Sequence, residues 1–124
     1  MTQNDRVIIC GGGPVGMVSA LALVRQGIPV TVLEAFAEPP KDPRAATVHP
    51  STLEMLESVG LAAGVVERGL KAPAFQFRDR KTQDIVAVFD MKHLADETDF
   101  PFAVQYEQWK LVRDSLAALD GNDL

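Results

Sequence analysis

Apolar and polar positions along this chain alternate between two periods, and the switches mark its elements. Residues 6–10, Arg-Val-Ile-Ile-Cys, form a short apolar run of strand length. Residues 15–26 contain no proline and no glycine except Gly16, and they place Val18, Leu21 and Ala22 on one face at helical spacing. Gly27 suits a helix stop, and residues 29–33, Pro-Val-Thr-Val-Leu, are rich in the β-branched residues of a strand. The character then changes. Residues 35–44 carry Pro39, Pro40 and Pro43 among charges, which predicts an irregular surface segment.

The second half continues in both periods. Proline at a first helical position and an apolar face of Leu53, Met55, Leu56 and Val59 predict a helix over 50–59, ended by Gly60. A shorter helical piece over 61–68 stops at Gly69. Phe75 and Phe77 then alternate with Gln76 and Arg78, and after a polar turn at 81–84 the run 85–89, Ile-Val-Ala-Val-Phe, makes a second strand. The pair predicts a hairpin opening a mixed or antiparallel sheet. Residues 95–99 read as an acidic solvated loop and 102–105 as a brief strand. A last helix over 107–119 sets Trp109, Val112, Leu116 and Leu119 on one face, a spacing that makes Trp109 a core anchor, with Gly121 as a stop.

Placed on these elements, the glycines acquire a chemistry. Gly11, Gly13 and Gly16 stand in the G-x-G-x-x-G register between the first strand and the first helix. The first permits a tight turn, the second lets a pyrophosphate approach bare backbone, and the third lets helix and strand pack closely. The helix N-terminus offers unpaired N–H groups and the positive end of a dipole to phosphate. Glu34 ends the second strand at about the ~20-residue offset where a carboxylate accepts hydrogen bonds from ribose hydroxyls. A carboxylate there repels a 2′-phosphate, which favours FAD or NAD over NADP. The expected fold class is α/β, a Rossmann-like FAD/NAD(P)-binding βαβ unit followed by the start of an antiparallel or mixed sheet.

Composition narrows the rest. The chain has 124 residues, 47% of them hydrophobic, and a net charge of -5. That is one domain's worth of chain with a single core. Neither a basic stripe nor a run of about 20 apolar residues appears, so nucleic acid and a membrane are not expected partners. The opening Met-Thr-Gln-Asn-Asp lacks the basic and apolar character of a leader, so a cytoplasmic location is expected. The single cysteine excludes an internal disulfide, and Cys10, at a strand end, is expected to be a small buried hydrophobe. His49 and His93 are far apart, with no cluster at metal-ligand spacing, so no metal is expected.

Three further stretches carry a family resemblance. Asp42-Pro-Arg-Ala-Ala-Thr-Val-His-Pro-Ser-Thr-Leu-Glu54 resembles the arginine-containing segment that follows the second strand in the FAD-dependent aromatic hydroxylases. These are single-component flavin monooxygenases such as p-hydroxybenzoate and hydroxyphenylpropionate hydroxylases. The stretch from Gly69 to Arg80 is similar to the hairpin that begins their substrate-covering sheet, and that from Phe100 to Leu111 to their turn into a helix with a flavin-contacting glutamine.

The resemblance implies FAD as cofactor, NAD(P)H as electron donor, and O₂ and an aromatic molecule as substrates. It implies a cofactor-contacting set of Gly11, Gly13, Pro14, Val15, Gly16, Glu34, Ala35, Arg44 and Gln108. Glu34 would hold the adenosine ribose, Arg44 would lie near the ribose and pyrophosphate, and Gln108 would meet the ribityl side. The planar fork of an arginine suits phosphate oxygens. His49 stands where many members carry arginine and reads as a helix-flanking structural residue. The implied division assigns 1–72 to the FAD-binding domain, 73–105 to the start of the substrate sheet and 106–124 to a return helix.

The family's later Asp-Gly and Gly-Asp fingerprints have no counterpart here. Asp120-Gly121 follows the last helix with no strand before it and reads as a helix cap. The expectation is therefore an N-terminal portion of a longer protein, with no nameable catalytic residue and no hydroxylation by itself. Two alternatives remain open. A dehydrogenase or disulfide reductase uses the same first unit, although the proline-rich segment opposes the former and the lone cysteine the latter. A self-sufficient nucleotide-binding module would bury Phe75, Phe77, Ile85 and Phe89, whereas a chain needing a covering layer would expose them.

Overall fold

A computed structural model of the chain describes residues 6–41 and 45–120. β1 (Val7–Cys10) and β2 (Val30–Leu33) pair in parallel, Val7 opposite Val30 and Cys10 opposite Leu33. Parallel neighbours need a crossover, and α1 (Pro14–Val24) supplies it. The helix ends in a Schellman motif: Gly27, at φ +73°, donates to the Val24 carbonyl, and Ile28 donates to that of Leu23. The chain then leaves β2 through the proline-rich segment expected there.

A second layer follows. β3 (Thr47–Val48), α2 (Pro50–Ser58), α3 (Ala62–Arg68) and β4 (Leu70–Ala72) lead to the hairpin of β5 (Ala74–Arg78) and β6 (Ile85–Asp90). After a 3₁₀ turn at Met91–Leu94, β7 (Ala103–Gln105) returns between β3 and β4 and pairs antiparallel with both. The ladder extends past β7, because Tyr106 N–H donates to the Ala46 carbonyl at 2.6 Å. That bond fixes the backbone just after residue 44. α4 (Gln108–Asp120) then packs along α1. The core lies between these helices and the short antiparallel sheet, with Leu21, Leu53, Leu56, Val65, Val104 and Tyr106 buried.

Three side-chain expectations are corrected. Cys10 is exposed, not buried. A Cβ on Gly16 of α1 would lie 3.3 Å from Ile9, so Ile9 faces the helix and the alternate residues Ile8 and Cys10 face away from it. Met55 stands exposed rather than on the buried face of α2. In α4 the buried side is Leu111, Val112 and Ser115; Trp109 is only half-buried and Leu116 is 43% exposed. Of the expected stripe, Val112 is buried and Leu119 packs against the core, while Trp109 and Leu116 border an open groove. Gly121, the expected stop for this helix, lies outside the described residues.

The hairpin is the least covered element. Phe75 stacks on Phe89 across the strands with ring centroids 4.8 Å apart, and Phe77 meets both edge-on. These rings remain about half exposed, as do Ile85 and Val88. Apolar residues on both faces of a two-stranded ribbon gain little burial from each other.

One polar network joins the helices. Arg68 of α3 donates from Nε to the Tyr106 hydroxyl at 3.3 Å and from Nη2 to Asp114 Oδ2 at 2.7 Å, and the Tyr106 hydroxyl donates to the same carboxylate oxygen. Burial pushes the Asp114 carboxyl up, but bonds from Tyr106, Arg68 and Arg113 outweigh it and hold the group below its ordinary range. A carboxyl depressed in the fold stabilises it fully above the ordinary value of about 3.9 and loses that contribution as pH falls through the lower folded value. Asp114→Asn should cost about 1–3 kcal/mol at neutral pH, near the low end because Arg68 is half in water. Thermal unfolding should show a midpoint lower by roughly 4–8 °C per kcal/mol, with the gap to the parent closing as pH drops below about 4. A gap that stays constant into acid would exclude the charged network as its source.

Candidate functional site

The turn between β1 and α1 is built by contact distances. Gly11 takes φ +108°, a conformation side chains resist, and its N–H donates to the Leu33 carbonyl at 2.7 Å. A Cβ on Gly16 would lie 2.0 Å from the Gly11 carbonyl oxygen, so no side chain fits where helix and turn meet. Gly13 differs. It caps α1 in an extended conformation, makes no side-chain capping bond, and a Cβ there would meet nothing within 4 Å. The space over Gly13 is therefore open, beside a helix end with Pro14 at its first position and no acid in its first turn. Such an end attracts an anion by about 0.3–1 kcal/mol, and up to about 2 in partly buried geometry. Val15 projects beside it, 81% exposed.

Glu34 is held at this turn. Its Oε2 accepts from Gly12 N–H at 2.6 Å and its Oε1 from Phe36 N–H at 2.9 Å. The bonds from Phe36 and Gly12, with a smaller one from Ala35, lower the pKa of this carboxyl. A fixed, ionised acceptor thus stands next to the open backbone of Gly13. Gly12 escaped notice in the sequence as a functional residue, although a Cβ on it would crowd Glu34 Cβ at 3.1 Å. The three successive glycines were the available signal.

Two grooves meet at the α1 N-terminus and share Pro14 and Gln108. One, of about 550 Å³, runs from Gly12, Gly13 and Glu34 past Phe36, Pro39 and Pro40 along α4. The other, of about 290 Å³, runs from Val15 and Val18 past Ala45, Ala46, Thr47 and Thr52. The structure thus gathers Gly11, Gly13, Pro14, Val15, Gly16, Glu34, Ala35 and Gln108 about one turn. Arg44 lies outside the described residues. His49 is the residue before α2 and bonds through its backbone carbonyl to Thr52 and Leu53, without a side-chain cap. Among the described residues no group of three His, Cys, Asp or Glu side chains could hold a metal ion, and no helix is long and apolar enough to cross a membrane.

An open cradle over bare backbone and a helix end without acids can donate to phosphate, and the pinned carboxylate can accept from ribose hydroxyls, which together suit the ADP half of a dinucleotide. The family model for the FAD binding domain matches residues 4–120. The chain belongs to this FAD-binding family. The 6-hydroxy-3-succinoylpyridine 3-monooxygenase of Pseudomonas putida is 37% identical over 113 residues, which cover 91% of this chain and 28% of that protein. The crystal structure of p-nitrophenol 4-monooxygenase from Pseudomonas putida superposes with a TM-score of 0.88 at 31% identity, over 94% of this chain and 29% of that one. Aklavinone-11 hydroxylase, crystallised with FAD and aklavinone, gives a TM-score of 0.77 at 26% identity and is covered to 24%. The fold is thus the Rossmann-like FAD-binding fold, the family match and FAD-complexed neighbours support FAD as the cofactor, and the chain spans about a quarter of the length of its monooxygenase relatives.

The contrast between two glycines is testable without ligand. Gly16→Ala drives a methyl into backbone, and overpacking of this kind costs about 1–3 kcal/mol or more. Its thermal midpoint should fall by several degrees, whereas Gly13→Ala should unfold with the parent. Equal midpoints for Gly16→Ala and the parent would contradict the close approach of α1 to Gly11.

Proposed function

We propose that this chain is the ADP-binding portion of an NAD(P)H-dependent flavin monooxygenase that uses O₂ to hydroxylate a phenolic or related aromatic ring. The observation that carries the reading is the juxtaposition of the open Gly13 backbone with the pinned Glu34 carboxylate. FAD, when bound, supplies electron transfer from NAD(P)H and oxygen activation. The chain's own part is binding and orientation. The amides and dipole of α1 with Gly13 take the pyrophosphate, Glu34 accepts from the ribose hydroxyls, Arg44 serves the ribose and pyrophosphate, and Gln108 serves the ribityl side.

A division at 1–72, 73–105 and 106–124 fits this reading. The β5–β6 hairpin would begin the sheet that covers the aromatic substrate, and its exposed rings favour a covering layer supplied by the intact protein over a self-sufficient nucleotide module. The same holds for β1–β2, whose Ile8 side has no layer over it among the described residues. A cytoplasmic setting belongs to the proposal. On this reading a chain that spans about a quarter of its relatives' length should bind FAD weakly and hydroxylate nothing alone.

Titration of flavin fluorescence with purified chain tests the cofactor. Saturable binding is expected, and Gly13→Val should weaken it at least tenfold, about 1.4 kcal/mol, while leaving the thermal midpoint nearly unchanged. Binding by Gly13→Val equal to the parent would remove the glycine turn from the site.

A further inference from the structure

The two grooves share Gln108, and the smaller one is also walled by Ala46, Val48 and Tyr106. These residues come from two separated stretches of chain, and Tyr106 ties the stretches together. Its N–H donates to the Ala46 carbonyl at 2.6 Å, its side chain is buried, and two residues further on Gln108 opens α4. The spacing across this wall therefore depends on what holds Tyr106.

The Tyr106 hydroxyl is held from outside the grooves. Arg68 Nε donates to it at 3.3 Å, and it donates in turn to Asp114, the carboxylate that Arg68 Nη2 reaches at 2.7 Å. The triangle joins the last turn of α3, the residue after β7 and the body of α4. Gly64 leaves room for it. This residue lies four positions before Arg68 on α3, and a Cβ there would come within 2.8 Å of Arg68 Nη2. Glycine is a poor helix former, and here its missing side chain is the space in which the guanidinium lies. Gly64, Arg68 and Asp114 line neither of the two grooves.

We infer that Arg68, seated over Gly64, and Asp114 are positioning residues for the cofactor site. Acting through Tyr106, they set the spacing between Ala46–Val48 and Gln108, and with it the affinity for the flavin-bearing half of the dinucleotide. The ADP half is independent of them, because the bonds that shape the glycine turn run among Gly11, Gly12, Leu33, Glu34 and Phe36. The inference rests on the FAD reading, in which Gln108 meets the ribityl side, and adds to it a remote control over one half of the site.

The test compares the parent with Arg68→Met, which removes both donors and keeps the apolar stem, and with Gly64→Ala, which displaces the guanidinium while improving the helix former. Melting curves verify that both fold. Each variant should weaken FAD by about fivefold in fluorescence titration and ADP by less than about twofold in calorimetry. Without ligand, amide exchange at Tyr106 should accelerate by about tenfold more than at Gly11 in the glycine turn. A triangle that merely stabilises the fold would leave the affinities of the folded variants unchanged. Unchanged FAD affinity, equal weakening of FAD and ADP, or Tyr106 exchange that only follows Gly11 would overturn the assignment. In those cases saturable FAD binding by the parent would leave the cofactor reading standing. Absence of FAD binding by the parent at millimolar concentration would overturn both.

Discussion

The close approach of α1 to the turn after β1 is the constraint on which the remaining geometry depends. With no side chain at Gly16, the helix sits directly against the Gly11 carbonyl, and its N-terminus is aimed at the space over Gly13. The same docking fixes β2, because Gly11 N–H reaches the Leu33 carbonyl, and so brings Glu34 within reach of Gly12 N–H. α4 packs on the other side of α1, and the two grooves that flank the turn are the spaces left between α1, α4 and the loops after β2 and before β3. The open helix end, the placement of the Glu34 carboxylate and the course of both grooves thus follow from one backbone contact.

Much of this was legible in the residue order. Strand, glycine turn, helix, strand and acid imply one another, since each glycine spacing has a single steric reading once a strand precedes it and a helix follows. Gly27 and Gly60 marked helix ends for an equally local reason: both take positive φ and cap the preceding helix through the same pair of backbone bonds. The hairpin followed from period-two alternation at Phe75 and Phe77.

What failed was any inference that needed to know which neighbour a face meets. Periodicity identified the stripe through Trp109, Val112 and Leu116, yet it cannot tell a core from a groove, and the buried face of α4 is centred on Leu111, Val112 and Ser115. Cys10 followed the rule that strand ends hold small buried hydrophobes; its face lacks a covering layer among the described residues. The Arg68–Tyr106–Asp114 network joins residues far apart in the chain and left no trace in local pattern. Exposed rings on β5–β6 and the uncovered side of β1 are mutually consistent: both are surfaces at which a chain spanning about a quarter of its relatives' length meets solvent.

The cofactor site at the glycine turn is tested most directly by backbone amide resonances of labelled chain during addition of FAD. Saturating shifts concentrated in residues 11–17 and 34–37, with the hairpin at 74–90 unmoved, are the expected result. Shifts centred on the hairpin, or none in the glycine turn while FAD is bound, would contradict it.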